Sequence, residues 1–485
     1  MSTRPETWTY KLAETTREAY AKLIPGEPLG LGDPRYVRLD RVRGDINIAE
    51  SLRIKIQAQE ELDYPNGERA PGPDPTFARL LLTGHPGCGK TTELLRLKEL
   101  LEVEDGFTVV YYDAEDQFDL AGADVSWWNV ILETIWQLDD LAAAAGVKIP
   151  DGPKNEAAEW IARVVTRKQT KKEIEGSVET ELGADVRLPF FAGVKALIRS
   201  AVKLGSTLTK EVETEADRHP KILVEALTEI VRSVNEQLHS KGGSGLVIIV
   251  DGLEKMPLRG RDGGITSHSA MFIFNGDKLA SPPCHLLYTL PLALLGNSPV
   301  AQIFPDETMV MPVVHVIDRA GDPDDQGITG MTDLLLKRVD PGLVEEGVSR
   351  TLALASGGHV RDFVRLARAA ASRFGETITT EHAGRAVQDM IGYYDFLYAA
   401  RYHDALVSVH RDRQLPRGEF DNELIEKLLV LPYKNTQNWY ALHPCVLDGP
   451  RGLKAPAGRS PRGRSGTQAK SPAGSKRGKS KAKPR

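Results

Sequence analysis

The segment Gly84-His85-Pro86-Gly87-Cys88-Gly89-Lys90-Thr91 fits the pattern G-x-x-x-x-G-K-[ST] at every fixed position. It follows a short apolar run, Arg79 to Thr83, that predicts a buried strand, and it leads into a helical pattern from Lys90 to about Val103. The glycines let such a loop curl until its backbone N–H groups point inward, towards phosphate oxygens. The loop and the helix start together predict a phosphate-binding site.

Each part of this loop has an expected role towards ATP. Lys90 should reach the β- and γ-phosphates, and the Thr91 hydroxyl should bind Mg²⁺. We therefore predict ATP and Mg²⁺ as the ligands of the chain. The nine residues assigned to nucleotide binding are Gly84, His85, Pro86, Gly87, Cys88, Gly89, Lys90, Thr91 and Thr92.

A second magnesium ligand is expected at the end of another buried strand. The apolar run Leu246 to Val250 ends in Asp251, and a carboxylate there is costly to bury unless it meets a cation. Asp251 is the predicted partner of Thr91 at the metal, and the alternative is a cap on the following turn.

Three further residues are candidates for catalysis. Glu254 follows Asp251 by three positions and could polarise the attacking water, or be a solvated loop carboxylate. Thr289 ends the strand candidate His285 to Leu290 and could bind the γ-phosphate or the water, or only pack in the core. Arg361 stands near the start of an amphipathic helix and could reach the γ-phosphate, or form a surface salt bridge.

Strand and helix patterns alternate along the middle of the chain, which predicts an α/β fold. Strands are expected at 107–113 and 246–250, with helices at 126–145 and 221–239. We predict a three-layer P-loop NTPase core with a parallel sheet.

The rest of the chain divides by composition. Residues 1–76 are predicted to be a peripheral helical and linker region, and residues 77–330 the ATPase core, with an insertion at about 146–217 that holds an apolar piece at 188–204. Residues 331–400 are predicted to form a helical lid. A helix followed by strands at 424–431 and 439–446 favours a small winged-helix-like unit at 401–448, and residues 449–485 are expected to be a disordered basic tail.

Charge is unevenly distributed between the body and this tail. Residues 451–485 carry 12 Lys or Arg and no acidic residue, which leaves 50 basic and 67 acidic residues in the remainder. No stretch of 18 apolar residues predicts a membrane span, and the N-terminus shows no signal-peptide pattern. Three scattered cysteines argue against a disulfide framework, so a cytoplasmic location is expected.

The motifs together resemble the AAA+ and STAND branch of P-loop ATPases. The pieces GHPGCGKTT, VIIVDGLEK, LLYTLP and SGGHVRDFVRLA occur in the order of Walker A, Walker B, sensor 1 and sensor 2. DGLEK is similar to the Walker B of KAP-type NTPases, with Gly252 in place of the second acid and Glu254 at the third. GGHVR is similar to sensor 2 of origin-recognition ATPases. Over roughly residues 77–400, the chain resembles bacterial STAND-like ATPases with the pattern GH-x-G-x-GK[ST]TEL.

This resemblance implies an ATPase core with a helical lid that assembles as a homo-oligomer in the ATP state. Such assemblies use an arginine from a neighbouring subunit, and Arg319 and Arg338 are the two candidates. The GTPase motif N-K-x-D is absent from the sequence, so adenine is favoured over guanine.

Three functions remain open at this point. The leading hypothesis is a nucleotide-driven conformational or assembly switch with slow hydrolysis, because Gly252 replaces an acid. The second is a nucleic-acid-handling ATPase whose tail binds DNA or another anionic partner. The third is a non-catalytic scaffold that ATP stabilises.

Overall fold

A parallel β-sheet lies at the centre of the computed structural model, which describes residues 10–72, 74–120, 125–175, 207–261, 264–295, 298–306, 308–416 and 420–449. The spatial order of the strands is β2-β3-β4-β1-β5, and all neighbours are parallel. Parallel neighbours require crossover connections, and helices supply them here. The strands are β1 Arg79–Thr83, β2 Thr108–Asp113, β3 Leu246–Asp251, β4 His285–Leu290 and β5 Met309–Val310.

Helices surround this sheet and continue beyond it. Those of six residues or more are α1 Thr16–Lys22, α2 Ile48–Asp63, α3 Lys90–Val103, α4 Trp127–Ala145, α5 Asp151–Glu175, α6 Thr207–Arg218, α7 Pro220–Ser240, α8 Ser298–Ile303, α9 Asp325–Leu336, α10 Val348–Ser356, α11 Val360–Ala371, α12 Thr380–Leu397, α13 His403–Asp412 and α14 Asp421–Glu426. Shorter helical turns include Asp40–Arg43, Pro65–Gly67, Ala114–Gln117, Leu253–Lys255, Ser267–Ser269, Gly276–Leu279, Leu292–Leu294, Pro341–Leu343, Ala400–Tyr402 and Pro444–Leu447, and Ala270–Phe274 is a π-helix.

The two faces of the sheet are covered by different helices. In β1, Leu80 and Leu82 pack in a core with α2 and α3, whereas Leu81 packs in a separate core with α4 and α7. This alternation follows from the strand geometry, in which successive side chains point to opposite faces. The predicted three-layer α/β core is confirmed.

Helices α9 to α12 share one apolar core next to the sheet. Ala19 and Leu23 of α1 belong to the same core, and α1 packs directly on α11. The N-terminal region therefore contacts the segment predicted to be the lid.

Residues 400–449 contain α13, α14 and an antiparallel hairpin, β6 Val430–Lys434 and β7 Asn438–Leu442. Tyr433 and Trp439 stack across the hairpin with their ring centroids 4.3 Å apart. The first strand differs from the expectation, because residues 421–426 are helical and the strand begins at Val430. The hairpin is present, and the winged-helix assignment stays a prediction. We call residues 400–449 the C-terminal unit.

Some predictions concern residues outside the described ranges. The apolar piece at 188–204 lies there, as does the tail from residue 450. Around the predicted insertion, α5 and α6 pack against α7 through Trp160, Ile161 and Val212. Within the described ranges, no helix combines the length and apolar character that crossing a membrane requires.

Candidate nucleotide-binding site

The glycine loop connects the end of β1 to the start of α3, as its pattern requires. Gly87 and Gly89 have φ angles of 91° and 108°, and Gly89 stands immediately before the first helical residue, Lys90. The Lys90 ammonium donates to the carbonyls of Gly84 and His85, at 2.9 and 3.0 Å. The loop therefore closes around its own lysine.

Lys90 also meets the predicted catalytic carboxylate. Its Nζ lies 2.8 Å from Oε1 of Glu254, and the two side chains are only 3% and 4% exposed. Burial alone would raise the pKa of Glu254, but the Lys90 ammonium and the nearby Thr289 hydroxyl outweigh it and lower that pKa. Glu254 is thus not a solvated loop carboxylate.

Asp251 lies at the end of β3, fully buried, beside Thr91. The Thr91 hydroxyl hydrogen-bonds the Asp251 carboxylate, and Tyr111 donates to Oδ2 at 3.2 Å. Burial, and next the charge of Glu254, raise the pKa of Asp251 to about 6. A cation stabilises the ionised form of a buried carboxylate whose pKa is raised in this way. Asp251 and Thr91 therefore fit a Mg²⁺ ion. The alternative of a turn cap has some basis too, since Oδ1 accepts from Gly252 N–H at 2.7 Å.

Thr289 stands near the end of β4, next to β3. Its Oγ1 accepts a hydrogen bond from the Leu253 backbone N–H at 3.0 Å, and its hydroxyl helps to lower the Glu254 pKa. Thr289 therefore positions the turn that carries Glu254. It is fully buried, so the core-packing alternative also describes it.

Gly252 follows Asp251 directly, and Asp113 of the neighbouring strand fills the space beside it. A Cβ built on Gly252 would lie 2.1 Å from Oδ1 of Asp113, and Gly252 has a φ of 80°. Asp113 ends β2 in register with Asp251 and bonds Lys255 at 3.0 Å. A carboxylate of the neighbouring strand therefore lies where a side chain at position 252 would stand.

Arg361 lies against the glycine loop rather than on the open surface. Its backbone N–H donates to the Gly87 carbonyl at 3.2 Å, and a Cβ on Gly87 would lie 2.6 Å from the Arg361 Cβ. Burial lowers the pKa of the guanidinium, and its Nε makes no hydrogen bond with any described residue. The helix α11 that carries it begins one residue earlier.

Three parts of the chain hydrogen-bond the remaining loop residues: the N-terminal region, the start of α11 and the C-terminal unit. Arg43 donates to the Cys88 carbonyl at 2.7 Å, and the Leu29 N–H donates to Thr92 Oγ1 at 3.2 Å, both from the N-terminal region. From α11's N-cap, His359 Nε2 donates to the Pro86 carbonyl at 2.9 Å.

The C-terminal unit makes the third contact with the loop. The His85 Nε2 atom lies 2.9 Å from the Val430 carbonyl, which can only accept, so Nε2 carries the proton. Burial lowers the pKa of His85 to about 3, and its ring is therefore neutral at pH 7.

A cavity of about 340 Å³ opens on the outer side of this loop. Its lining shows that part of the N-terminal region predicted to be peripheral, between Ile24 and Arg43, forms one wall. The glycine loop, Asp113 at the end of β2 and the first turns of α11 in the predicted lid line the rest. The lining residues from that wall are Ile24, Gly26, Glu27, Pro28, Leu29, Arg35, Tyr36, Val37, Leu39 and Arg43.

The two candidate arginine fingers have very different surroundings. Arg338 lines the same cavity, is 8% exposed and donates to the carbonyls of Arg35 and Leu334, so it cannot extend into a neighbouring subunit. Arg319 is exposed in a turn that the Asp318 carboxylate stabilises. Of the two, Arg319 keeps the required accessibility.

Sequence reasoning missed Asp113, Tyr111 and Arg43 as members of the site. Only Asp113 had a signal, because it ends a predicted strand, as Asp251 does. Tyr111 and Arg43 belong to the site through contacts across the fold, for which one sequence carries no pattern.

Comparisons with known proteins add little to this description. No protein-family model matches the chain, and no curated protein matches it. The solved structures it resembles include Cdc6p from Pyrobaculum aerophilum, with a TM-score of 0.33, 16% identity and coverage of 84% of this chain and 95% of that one. Another is the Walker-type ATPase PABY2304 of Pyrococcus abyssi, with a TM-score of 0.36, 13% identity and coverage of 85% and 98%. The functional argument therefore rests on the site itself.

Proposed function

We propose that this chain binds ATP with Mg²⁺ and hydrolyses it slowly, and that the bound nucleotide switches its conformation or assembly. The proposal rests on two contacts between the start of α3 and the end of β3. Lys90 contacts Glu254, and Thr91 contacts Asp251. A cation that can bind phosphate, a hydroxyl that can bind a metal ion and two buried carboxylates converge near the ends of parallel strands. This is the set of groups that phosphoryl transfer to water requires.

Lys90 links ATP binding to the basicity of Glu254. The ammonium now lowers the Glu254 pKa, and phosphate oxygens would compete for the same ammonium. Once Lys90 turns to phosphate, burial dominates and the Glu254 pKa rises, which makes it a stronger base towards water. Mg²⁺ held by Thr91 and Asp251 would supply charge neutralisation at the phosphates.

Arg361 is the residue best placed to connect the nucleotide with the lid. Its guanidinium lies in the cavity between the loop and α11, with Nε lacking a partner in the described chain. A γ-phosphate would offer that partner, and ADP would not. ATP would then favour one lid position over another, and an assembly could form through exposed Arg319 acting on a neighbour.

The test compares ATP turnover and sedimentation for the wild type, Lys90→Ala and Glu254→Gln. Lys90→Ala should lose nucleotide binding, whereas Glu254→Gln should keep binding and lose turnover by about 10²–10⁴-fold. Lys98→Ala, on the outer face of α3 where Lys98 pairs with Glu102, is the matched control. Tight ATP binding without turnover or a change in assembly would instead establish the non-catalytic scaffold.

A second candidate function, nucleic-acid handling, is favoured by one observation. The 12 cations of residues 451–485 would bind a phosphate backbone without sequence preference. The segment lacks aromatic residues, so base stacking is not indicated. Stimulation of ATP turnover by DNA would move the balance towards this function.

A further inference from the structure

A second cavity, of about 200 Å³, adjoins the glycine loop. It shares Pro86, Glu254 and Lys255 with the larger cavity, so the two meet at the predicted base. The larger cavity has room for the nucleotide, whereas the smaller one is lined by the first residues of the loop and by the turn after β4.

Residues around this second cavity carry buried hydrogen-bond acceptors that lack donors. His268 Nε2 lies 2.7 Å from the Met256 carbonyl and must donate, so its Nδ1 is an acceptor, as is Nδ1 of His85. Both Nδ1 atoms, and Oε2 of Glu254, are buried with no hydrogen-bond partner among the described residues. Buried acceptors without donors are costly, and a donor inside the cavity would satisfy them.

The C-terminal unit forms one wall of the cavity. Ile425 of α14 is buried there against Leu292 of the turn after β4, and Glu426 is exposed at the edge. The Val430 carbonyl, a few residues later, holds the His85 ring of the loop. A shift of this unit would therefore change the shape of the cavity.

We propose that this second cavity is the chamber that holds the water for ATP hydrolysis, and that α14 of the C-terminal unit is its wall. The inference rests on the proposed ATPase function and adds the source of the nucleophile. Water occupies about 30 Å³ in the liquid, so the chamber has room for a small cluster. Each water can donate a hydrogen bond to one of the buried acceptors that lack a donor. A water that contacts Glu254 lies beside the base that would take the proton of the attacking water.

Filling the chamber tests this assignment. Ala293, half-buried in the wall, is changed to Leu and to Trp, and ATP turnover and nucleotide affinity are measured in the full chain. We expect turnover to fall in steps, at least tenfold for Ala293→Trp, while nucleotide affinity stays within twofold because the nucleotide occupies the larger cavity. Asn422→Trp, exposed on the same α14, is the control and should behave as the wild type.

Several outcomes would overturn the chamber. One is that Ala293→Trp keeps both the turnover and the melting temperature of the wild type. Another is that both Ala293 variants lose nucleotide affinity as much as they lose turnover. A loss confined to assembled protein would mean that the cavity receives a partner's side chain instead of water. The smaller Ala293→Leu keeps the test valid if Trp prevents folding. A wild type that binds ATP without turning it over would refute the proposed function itself, which is a different result.

Discussion

The residue after Asp251 is glycine because neither its backbone nor its surroundings admit a side chain. Gly252 has a φ of 80°, and Asp113 occupies the place of a Cβ. Gly252→Ala should therefore lower the free energy of unfolding by about 1–3 kcal/mol and displace Asp113. Chemical denaturation measures this. Gly384→Ala, in the open middle of α12 with nothing within 4 Å of a Cβ, should instead raise stability by about 0.5–1 kcal/mol.

A second single-residue prediction concerns pH. Glu60 of α2 accepts hydrogen bonds from His239, His285 and the Gly245 N–H, at 2.8, 3.0 and 2.9 Å. Burial would raise the Glu60 pKa, but the two histidines lower it from 4.5 to about 2. A lowered carboxyl pKa means that the group stabilises the fold above pH 4.5 and that this contribution is lost as the pH falls towards 2.

Glu60→Gln should therefore cost about 3 kcal/mol at pH 7. The difference from the wild type should shrink as the pH decreases from 4.5 to 2. Urea denaturation at a series of pH values measures it, with the exposed neighbour Glu61→Gln as the control. A difference that stayed constant through this range would show that the stabilisation does not depend on ionised Glu60.

At the scale of elements, the N-terminal turn Asp40–Arg43 supports the glycine loop. Arg43 is buried and its Nη2 donates to the Cys88 carbonyl, whereas Arg41 of the same turn is exposed. Arg43→Met keeps the apolar stem and removes the donor, so we expect nucleotide affinity to fall about fivefold to tenfold, the equivalent of one lost hydrogen bond. Titration with a fluorescent nucleotide measures it. Arg41→Met should bind as the wild type does, and an equal loss in both would point to net charge instead.

The elements that could be predicted are those whose signal is local. A run of adjacent residues predicts each of three elements: the glycine loop, the strand that ends in Asp251 and the strand that ends near Thr289. His85 contacting Val430 spans 345 positions, and Lys255 contacting Asp113 spans 142. No periodicity in one sequence encodes such pairs, which is why the support of the loop and the role of the N-terminal wall became visible only in the fold.

At the scale of the whole molecule, a buried polar network joins the predicted lid, helices α11 and α12, to the C-terminal unit. Asp362 of α11 accepts from Tyr394 of α12 at 2.7 Å, and His359 and His443 lie 3.2 and 3.4 Å from the same carboxylate oxygen. His359 also holds the Pro86 carbonyl. A movement of the predicted lid would therefore change contacts at both the glycine loop and the C-terminal unit.

Asp362→Asn should weaken this coupling more than it weakens binding. The neutral amide keeps the shape but loses the ionised acceptor that the two histidines face, so the protease sensitivity of ATP-bound and ADP-bound protein should become more alike. Limited proteolysis in each nucleotide state measures this. Asp389→Asn, at the exposed end of a surface pair with Arg373, is the control. Unchanged, state-dependent cleavage in Asp362→Asn would remove the network from the switch.

The charge of the whole chain leads to a final prediction about DNA. Residues 451–485 hold 12 cations, while the remainder is acidic by 17 charges, so any binding to DNA should depend on the tail and be opposed by the body. If six cations contact phosphates, the logarithm of the affinity should fall with the logarithm of salt concentration with a slope of about −5.

Replacing residues 449–485 with a Gly/Ser segment of equal length keeps the length and removes the charge. The variant should then show no binding to DNA when it is measured from about 50 to 300 mM salt. If affinity and slope survive the replacement, DNA contacts lie on the folded body, and the tail serves another anionic partner.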